Sequence, residues 1–276
     1  RLDLPTASAD LGSNRDALVA TGILERMTVI PHVLSVGVYG RWIDALAKAG
    51  LEPGDIDHPK KTDVCFVFAY DWRRDLVESA RLLAARIDAI RAASGDPDLE
   101  VDLIAHSMGG LIARYYLLYG GEDALVSVTP PEPTLAGARH VANLFLLGTP
   151  NEGSIWNLIR LLHGGRVGVQ NIDPLAWFTM PSVYELLPSP GDPVLIDASG
   201  RPVTLDIYNV RTWIENSWGV FDPQRRALYR NVLVEHLGGD GERALAAKYE
   251  EWARFVGVAL ERARRFHGAV EQDRRI

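Results

Sequence analysis

Apolar positions along this chain fall into two regimes. Between residues 37 and 148, short apolar runs alternate with helical spacings; beyond residue 150 that alternation stops. Residues 37–50, GVYGRWIDALAKAG, have the spacing of an amphipathic helix that ends at Gly50. Residues 64–69, VCFVFA, form a continuous apolar run, which predicts a strand buried on both faces. Leu76, Leu83, Ile87 and Ile90 then recur at helical spacing, and Gly95 supplies a stop. VDLIA (101–105) reads as a second strand, HSMGGLIARYYLLYGG as a helix closed by a glycine pair, and VANLFLLG (141–148) as a third strand. Crossovers between parallel strands need helices of this kind. The order therefore predicts a parallel sheet covered by helices on both faces.

The second regime is helical and aromatic. SIWNLIRLLHGG (154–165) reads as a helix, and residues 174–222 are rich in Pro, Trp and Tyr with few periodic stretches. Residues 242–266 predict one long helix. Its apolar positions Leu245, Tyr249, Trp252, Val256, Ala259, Ala263 and Phe266 step by three and four, which makes a buried stripe. The division expected from this change of pattern is a core over residues 1–153 and a helical cap or lid over 154–276.

Composition narrows the function classes. The 276 residues are 47% hydrophobic and 24% charged, ordinary values for a folded chain, so a disordered tail, a collagen and a coiled coil are excluded. The net charge of −7 lacks the basic surface that nucleic-acid binding requires. A single cysteine forms no internal disulfide, and Cys65, inside an apolar run, reads as a small buried hydrophobe. No run of 18 apolar residues occurs, so no transmembrane span is expected. Without a P-loop, a GxGxxG after a strand, an HExxH or a CxxC, neither a cofactor nor a metal is expected. Compartment and oligomeric state stay open.

The chemistry concentrates where the strand 101–105 meets the next helix, at Ala105-His106-Ser107-Met108-Gly109. A serine on a sharp strand-to-helix turn has its hydroxyl raised above the sheet edge. Strand and helix crowd there, so the residues two before and two after must be small, here Ala105 and Gly109. This is the nucleophile elbow of an α/β-hydrolase, and the fold class expected is a three-layer α/β-hydrolase with a parallel central sheet and a helical cap. Ser107 is the candidate nucleophile. The backbone N–H of Met108, at a helix N-terminus, is the candidate oxyanion donor. The alternative reading of Ser107 is an ordinary helix N-cap. A serine hydroxyl needs a base, and in this fold an acid and then a histidine follow it along the chain. Asp240 and His267 are the one late pair in that order with Gly-rich surroundings, although Asp240 reads equally well as a helix N-cap and His267 falls at the end of the long helix. His106 reads as a shape and packing residue.

Four ordered motifs resemble the lecithin:cholesterol acyltransferase family of α/β-hydrolases, which includes phospholipase-like and lipase-like members. They are Tyr70-Asp71-Trp72-Arg73, the AHSMGG elbow at 105–110, Leu147-Gly148-Thr149-Pro150 followed by Gly153-Ser154, and Pro181-Ser182 with Leu186-Leu187-Pro188. The resemblance implies serine-dependent acyl transfer on lipid or ester substrates, through an acyl-Ser107 intermediate. It also implies that this chain covers the middle of a longer protein. The family's PGxxGS-type turn and its GDGTV-like acid segment are not matched here, which would put acid and base beyond Ile276. The alternative is a non-catalytic α/β-hydrolase-like module that binds a lipid or a partner. Asp71 and Arg73 read as an ion pair that fixes their loop. Ile155, Trp156, Ile159 and Leu162 share one short helix next to a strand end, where a lid would meet lipid or a membrane surface; core packing is the alternative, and the favoured, reading for most of them.

Overall fold

The computed structural model describes Leu11 and residues 20–23, 26–30, 34–37, 39–127, 129, 132–167, 170–192, 194–237 and 241–272. Strands β1 (Arg26–Ile30) and β2 (Leu34–Gly37) form an antiparallel hairpin. Helix α1 (Gly40–Lys48) follows; it starts three residues later than its sequence pattern suggests and buries none of its residues. Helix α2 (Leu76–Ser94) ends where its sequence predicts. The Asp75 carboxylate caps it by accepting from the N–H groups of Val77 and Glu78, and Gly95 ends it at φ 71°. Such a side-chain cap contributes about 1 kcal/mol.

The parallel sheet is smaller than the alternation predicts. Strand β3 (Val101–His106) pairs in parallel with β4 (Val141–Leu147), in a register that sets Ile104 beside Phe145 and His106 beside Leu147. Residues 64–69 do not form a strand among the described residues. They contribute one parallel bridge, Phe66 to Gly54, with the Gly54 N–H donating to the Cys65 carbonyl at 2.8 Å. Cys65 is only half-buried. Among the described residues the outer face of this pair is not covered. Val101, Leu103 and Ala105 turn inward, whereas Ile104 is 53% exposed and Phe145 51% exposed. An apolar run reports hydrophobic character on both faces, but covering each face takes a packed layer. Among the described residues only the inner face has one.

That layer is helix α3 (Met108–Tyr119), buried almost all round, with α2 beside it. Together they make a core of Leu76, Val77, Leu83, Ile87, Leu111, Ile112, Tyr115 and Tyr119. A second core lies in the C-terminal half. Helix α4 (Ile155–His163) leads into a small antiparallel hairpin of β5 (Gly165–Val167) and β6 (Gln170–Ile172), which the sequence pattern did not signal. Short helices α5 (Pro174–Phe178), α6 (Pro181–Glu185) and α7 (Val210–Glu215) follow, then α8 (Pro223–Leu237) and α9 (Gly241–Val270). Helix α9 has 30 residues, about 45 Å at 1.5 Å per residue. The predicted stripe is buried apart from half-buried Tyr249, and it serves both cores. Leu245 through Ala263 join the second, while Phe266, Ala269 and Val270 join the first.

Buried charge fastens α9 to α2. Arg262, 4% exposed, grips the Asp75 carboxylate through Nε and Nη2 and reaches Asp123 at 3.0 Å. Glu185 accepts from the Leu76 N–H at 2.9 Å. Burial, and then the neighbouring Asp75, push the Glu185 carboxyl well above the usual carboxylate range. The N-terminus of α2 thus meets two carboxyl groups, that of Asp75 held by Arg262 and that of Glu185 bonded to the Leu76 N–H.

Candidate active site

Ser107 occupies the junction of β3 and α3 at φ 53° and ψ −128°, a region that residues with a Cβ rarely adopt. Its backbone is over-determined. The Ser107 N–H donates to the Leu147 carbonyl at 2.9 Å, and its own carbonyl accepts from Gly110 at 3.0 Å. The first bond extends the β3–β4 ladder past the strand end, and the second opens the helix. The side chain makes no capping hydrogen bond, although Ser107 stands at the N-cap position. The first N–H groups of a helix have no intrahelical acceptor, and Met108 is the first residue of α3. A half-buried hydroxyl therefore stands beside an unclaimed N–H at the positive end of a helix.

The crowding predicted for the elbow is real, but it falls one residue later. A Cβ on Gly109 would meet only the Tyr70 hydroxyl, at an ordinary 3.6 Å. A Cβ on Gly110 would lie 1.9 Å from Thr149 Oγ1 and within 2.8 Å of the rest of that side chain. Thr149 comes from the LGTP segment after β4, so the elbow is backed by a residue some forty positions away. The same segment is strapped in turn. Gly153, at φ 72°, leaves room for the Leu187 carbonyl, which a Cβ there would approach to 2.0 Å. The Ser154 N–H donates to Leu186 at 2.8 Å, and the Ser189 N–H to Glu152 at 3.1 Å. Tyr208 donates its hydroxyl to the Pro188 carbonyl at 2.8 Å. The four motifs, separate in sequence, thus form one contiguous structure: 186–189 hold 149–154, Thr149 backs the elbow, and Tyr70 borders it.

The sequence model of the family described as lecithin:cholesterol acyltransferase matches residues 27–219, well over half of the chain. The chain belongs to the lecithin:cholesterol acyltransferase family. Membership implies the α/β-hydrolase fold. Of it, the described residues show a two-stranded parallel sheet with its helices; the full three-layer sheet expected from the sequence is not present among them. No curated protein matches significantly. Among solved structures the chain is similar to one in the crystal structure of the Tle4–Tli4 complex, at 19% identity and a TM-score of 0.44. That similarity covers 73% of this chain and 41% of the other, so this chain spans less than half the length of that one.

Histidine placement is the main departure from an acyl-transfer triad as the family builds it. The His106 ring lies on the exposed face of β3, where Nδ1 meets the Tyr39 hydroxyl at 2.7 Å. His140 precedes β4, at the opposite end of the parallel sheet from Ser107, and lies 3.5 Å from an Arg91 nitrogen. His163 is exposed at the end of α4. His267, 1% exposed, has its Nδ1 3.3 Å from Ser189 Oγ and its ring edge-on to Tyr208. Burial holds its pKa down to about 4, the Arg114 guanidinium adding to the effect. It is a neutral packing residue under the 186–189 strap. Asp240 lies outside the described residues. Among the described residues, no histidine ring is hydrogen-bonded to Ser107.

The remaining candidates sort cleanly. Arg73 clasps Asp71 through Nε at 2.8 Å and Nη2 at 2.6 Å, a part-buried pair closing its own loop. On α4, Leu158 and Leu161 face the core, while Trp156 is 65% exposed with Ile155 beside it; Ile159 and Leu162 are half-buried. The outward apolar positions of the expected lid helix are therefore Ile155 and Trp156. Among the described residues no three His, Cys, Asp or Glu side chains gather to hold a metal, and no helix is long and apolar enough to cross a membrane. Sequence reading missed Thr149 as the support of the elbow. It also passed over the Tyr70 hydroxyl, although it had singled out the segment that carries it. Both contacts are long-range, and neither leaves a local pattern.

Proposed function

We propose that this chain carries the nucleophile of an enzyme that moves acyl groups from lipid or other ester substrates. The observation that supports the reading most directly is the conformation of Ser107, a strained serine between a parallel strand and a helix with its hydroxyl uncommitted to capping. In the reaction, Ser107 Oγ attacks the ester carbonyl carbon and its proton passes to a base. The carbonyl oxygen becomes an oxyanion facing the Met108 N–H. The C–O bond to the leaving alcohol then breaks, the alcohol takes up the proton, and the acyl group remains on Ser107. Water or a second alcohol accepts the acyl group in the reverse sequence of steps, which makes the enzyme a lipase or phospholipase in the first case and an O-acyltransferase in the second.

Labelling with an alkyl fluorophosphonate tests this reading. Covalent modification mapped to Ser107 by mass spectrometry, and lost in Ser107→Ala, is the expected result. A folded chain that takes no label overturns it. The absence of a histidine bonded to Ser107 among the described residues favours the second reading, a non-catalytic module that binds lipid or a partner. That reading predicts binding of ester lipids with equal affinity by the parent and by Ser107→Ala, without label.

A further inference from the structure

Glu185 is the last residue of α6 and adjoins the 186–189 strap. It is 1% exposed, like Asp75 beside it. One cation, Arg262, serves three carboxyl groups here, because part-buried Asp123 shares it. Among the described residues, every hydrogen bond that Arg262 donates goes to Asp75 or Asp123. Glu185 receives one donor, the Leu76 N–H at Oε2, and none reaches its buried Oε1. Its side chain is hydrogen-bonded to the Asp75 side chain, and two carboxyl groups bond in that way only with a proton between them. The other groups on the packed elements offer an ionised Glu185 no cation. Arg74 is paired with Glu78 at 2.6 Å, and Arg114 of α3 reaches Asn151 and the Val270 carbonyl. On α9, burial keeps His267 neutral down to about pH 4, and burial likewise keeps the proton on Tyr115 of α3 and on Tyr184 of α6. Arg160 of α4 lies over the Trp177 ring, His163 is exposed, and α5 carries no titratable side chain. A buried charge without a partner is neutralised or expelled.

We propose that Glu185 is a proton-operated latch: with its proton in place α6 stays docked on the first turn of α2, and loss of the proton frees α6 together with the strap. The strap carries the effect to the elbow. The Leu186 carbonyl accepts from the Ser154 N–H at 2.8 Å and from Asn157 Nδ2 at 3.3 Å, and the Leu187 carbonyl fills the space left by Gly153. These contacts hold the segment that keeps Thr149 against Gly110. The sign follows from the raised pKa: the folded protein keeps a proton that the open form gives up. The stabilisation is full below the ordinary glutamate value of about 4.3 and is lost as the pH rises through the folded value.

Glu185→Gln keeps the shape of the side chain and is neutral at every pH. Amide hydrogen exchange of the full chain, parent against variant at each pH, cancels the intrinsic exchange rates. The opening constants of the Ser154 and Ser189 N–H groups should rise in the parent relative to the variant by about tenfold per pH unit until Glu185 has lost its proton. The β3–β4 ladder should stay protected meanwhile, and the Gly200 N–H, in a separate exposed turn, should show no difference. Equal opening constants in the two proteins, a strap that opens only together with the ladder, or a difference shared by Gly200 overturns the proposal. A second readout needs no variant. In carbon-13 spectra of the parent with labelled glutamate carboxyls, one resonance should keep its protonated position at about pH 7, where ordinary glutamates are ionised. Ionisation of every glutamate near pH 4 overturns the proposal. Neither readout involves Ser107, so failure here leaves the nucleophile reading standing.

Discussion

The two cores of this protein are held together in different ways. The first, around α2 and α3, consists of regular helices with a short parallel sheet, and its helix ends are fixed by caps and buried charge. The second, around α4 to α9, is built from helices as short as five residues joined by irregular chain. Helices that short do not persist alone in water. Their order comes from aromatic packing, much of it on α9: Phe178 lies edge-on to Phe255 at 5.4 Å and to Trp252 at 6.0 Å, and Tyr184 to Phe255 at 6.2 Å. Such pairs add about 0.5–1.5 kcal/mol each beyond their buried area. The comparison shows where strain can be stored. Ser107 takes its unfavourable backbone in the regular core, and the irregular core supplies the strap that keeps Thr149 against the elbow.

Arg262 is the place to break the division, since it is the charged tie between the cores. Arg262→Met leaves Asp75 buried without its cation and should destabilise the protein by about 3–5 kcal/mol. Adding Asp75→Asn should return part of that loss, and urea denaturation measures both. His267 sharpens the comparison next, because it lies where α9 meets the strap. Its folded pKa of about 4 lies below the ordinary 6.5. The unfolded state therefore binds a proton that the folded state refuses. Stability should be full above pH 6.5 and fall by about 3 kcal/mol as the pH drops to 4. His267→Gln should flatten that part of the pH profile relative to the parent, as read by thermal unfolding at each pH. The smallest effect on stability is expected at the elbow itself. Gly110→Ala drives a Cβ into Thr149 and should cost about 1–3 kcal/mol, with slower fluorophosphonate labelling of Ser107; Thr149→Gly in the same chain should recover part of each.

Legibility in the sequence followed the range of the interaction. The spacing and the end of α2 were readable because those signals are local: apolar positions recur at helical intervals and Gly95 stops the helix. The stripe of α9 was equally plain, since helical spacing needs no partner to be visible. Residues 64–69 misled because an apolar run states a preference for burial, whereas a strand exists only through its neighbours' hydrogen bonds. For the same reason the outward positions Ile104 and Phe145 look like core in the sequence and lie exposed in the structure. At the site, spacing alone singled out Ser107 and Met108 as candidates, and they stand at the junction of β3 and α3. Gly109 was chosen as the crowded glycine on a rule about local turns, while the neighbour that does the crowding arrives from residue 149.

The sequence by itself determined the helix–strand–helix–strand order from α2 to β4, the sharp turn at Ser107, the long amphipathic α9 and the motif order of the lecithin:cholesterol acyltransferase family. These features depend on residues within a few turns of one another, whose periodicity and steric needs are written in the chain. Tertiary structure alone decided that Thr149 backs Gly110, that Arg262 joins α9 to α2, that His267 packs under the strap rather than against Ser107, and that the Tyr70 hydroxyl borders the elbow. Each is a contact between residues distant in sequence, fixed by how helices and strands pack, and packing geometry leaves no periodic mark on the chain that adopts it.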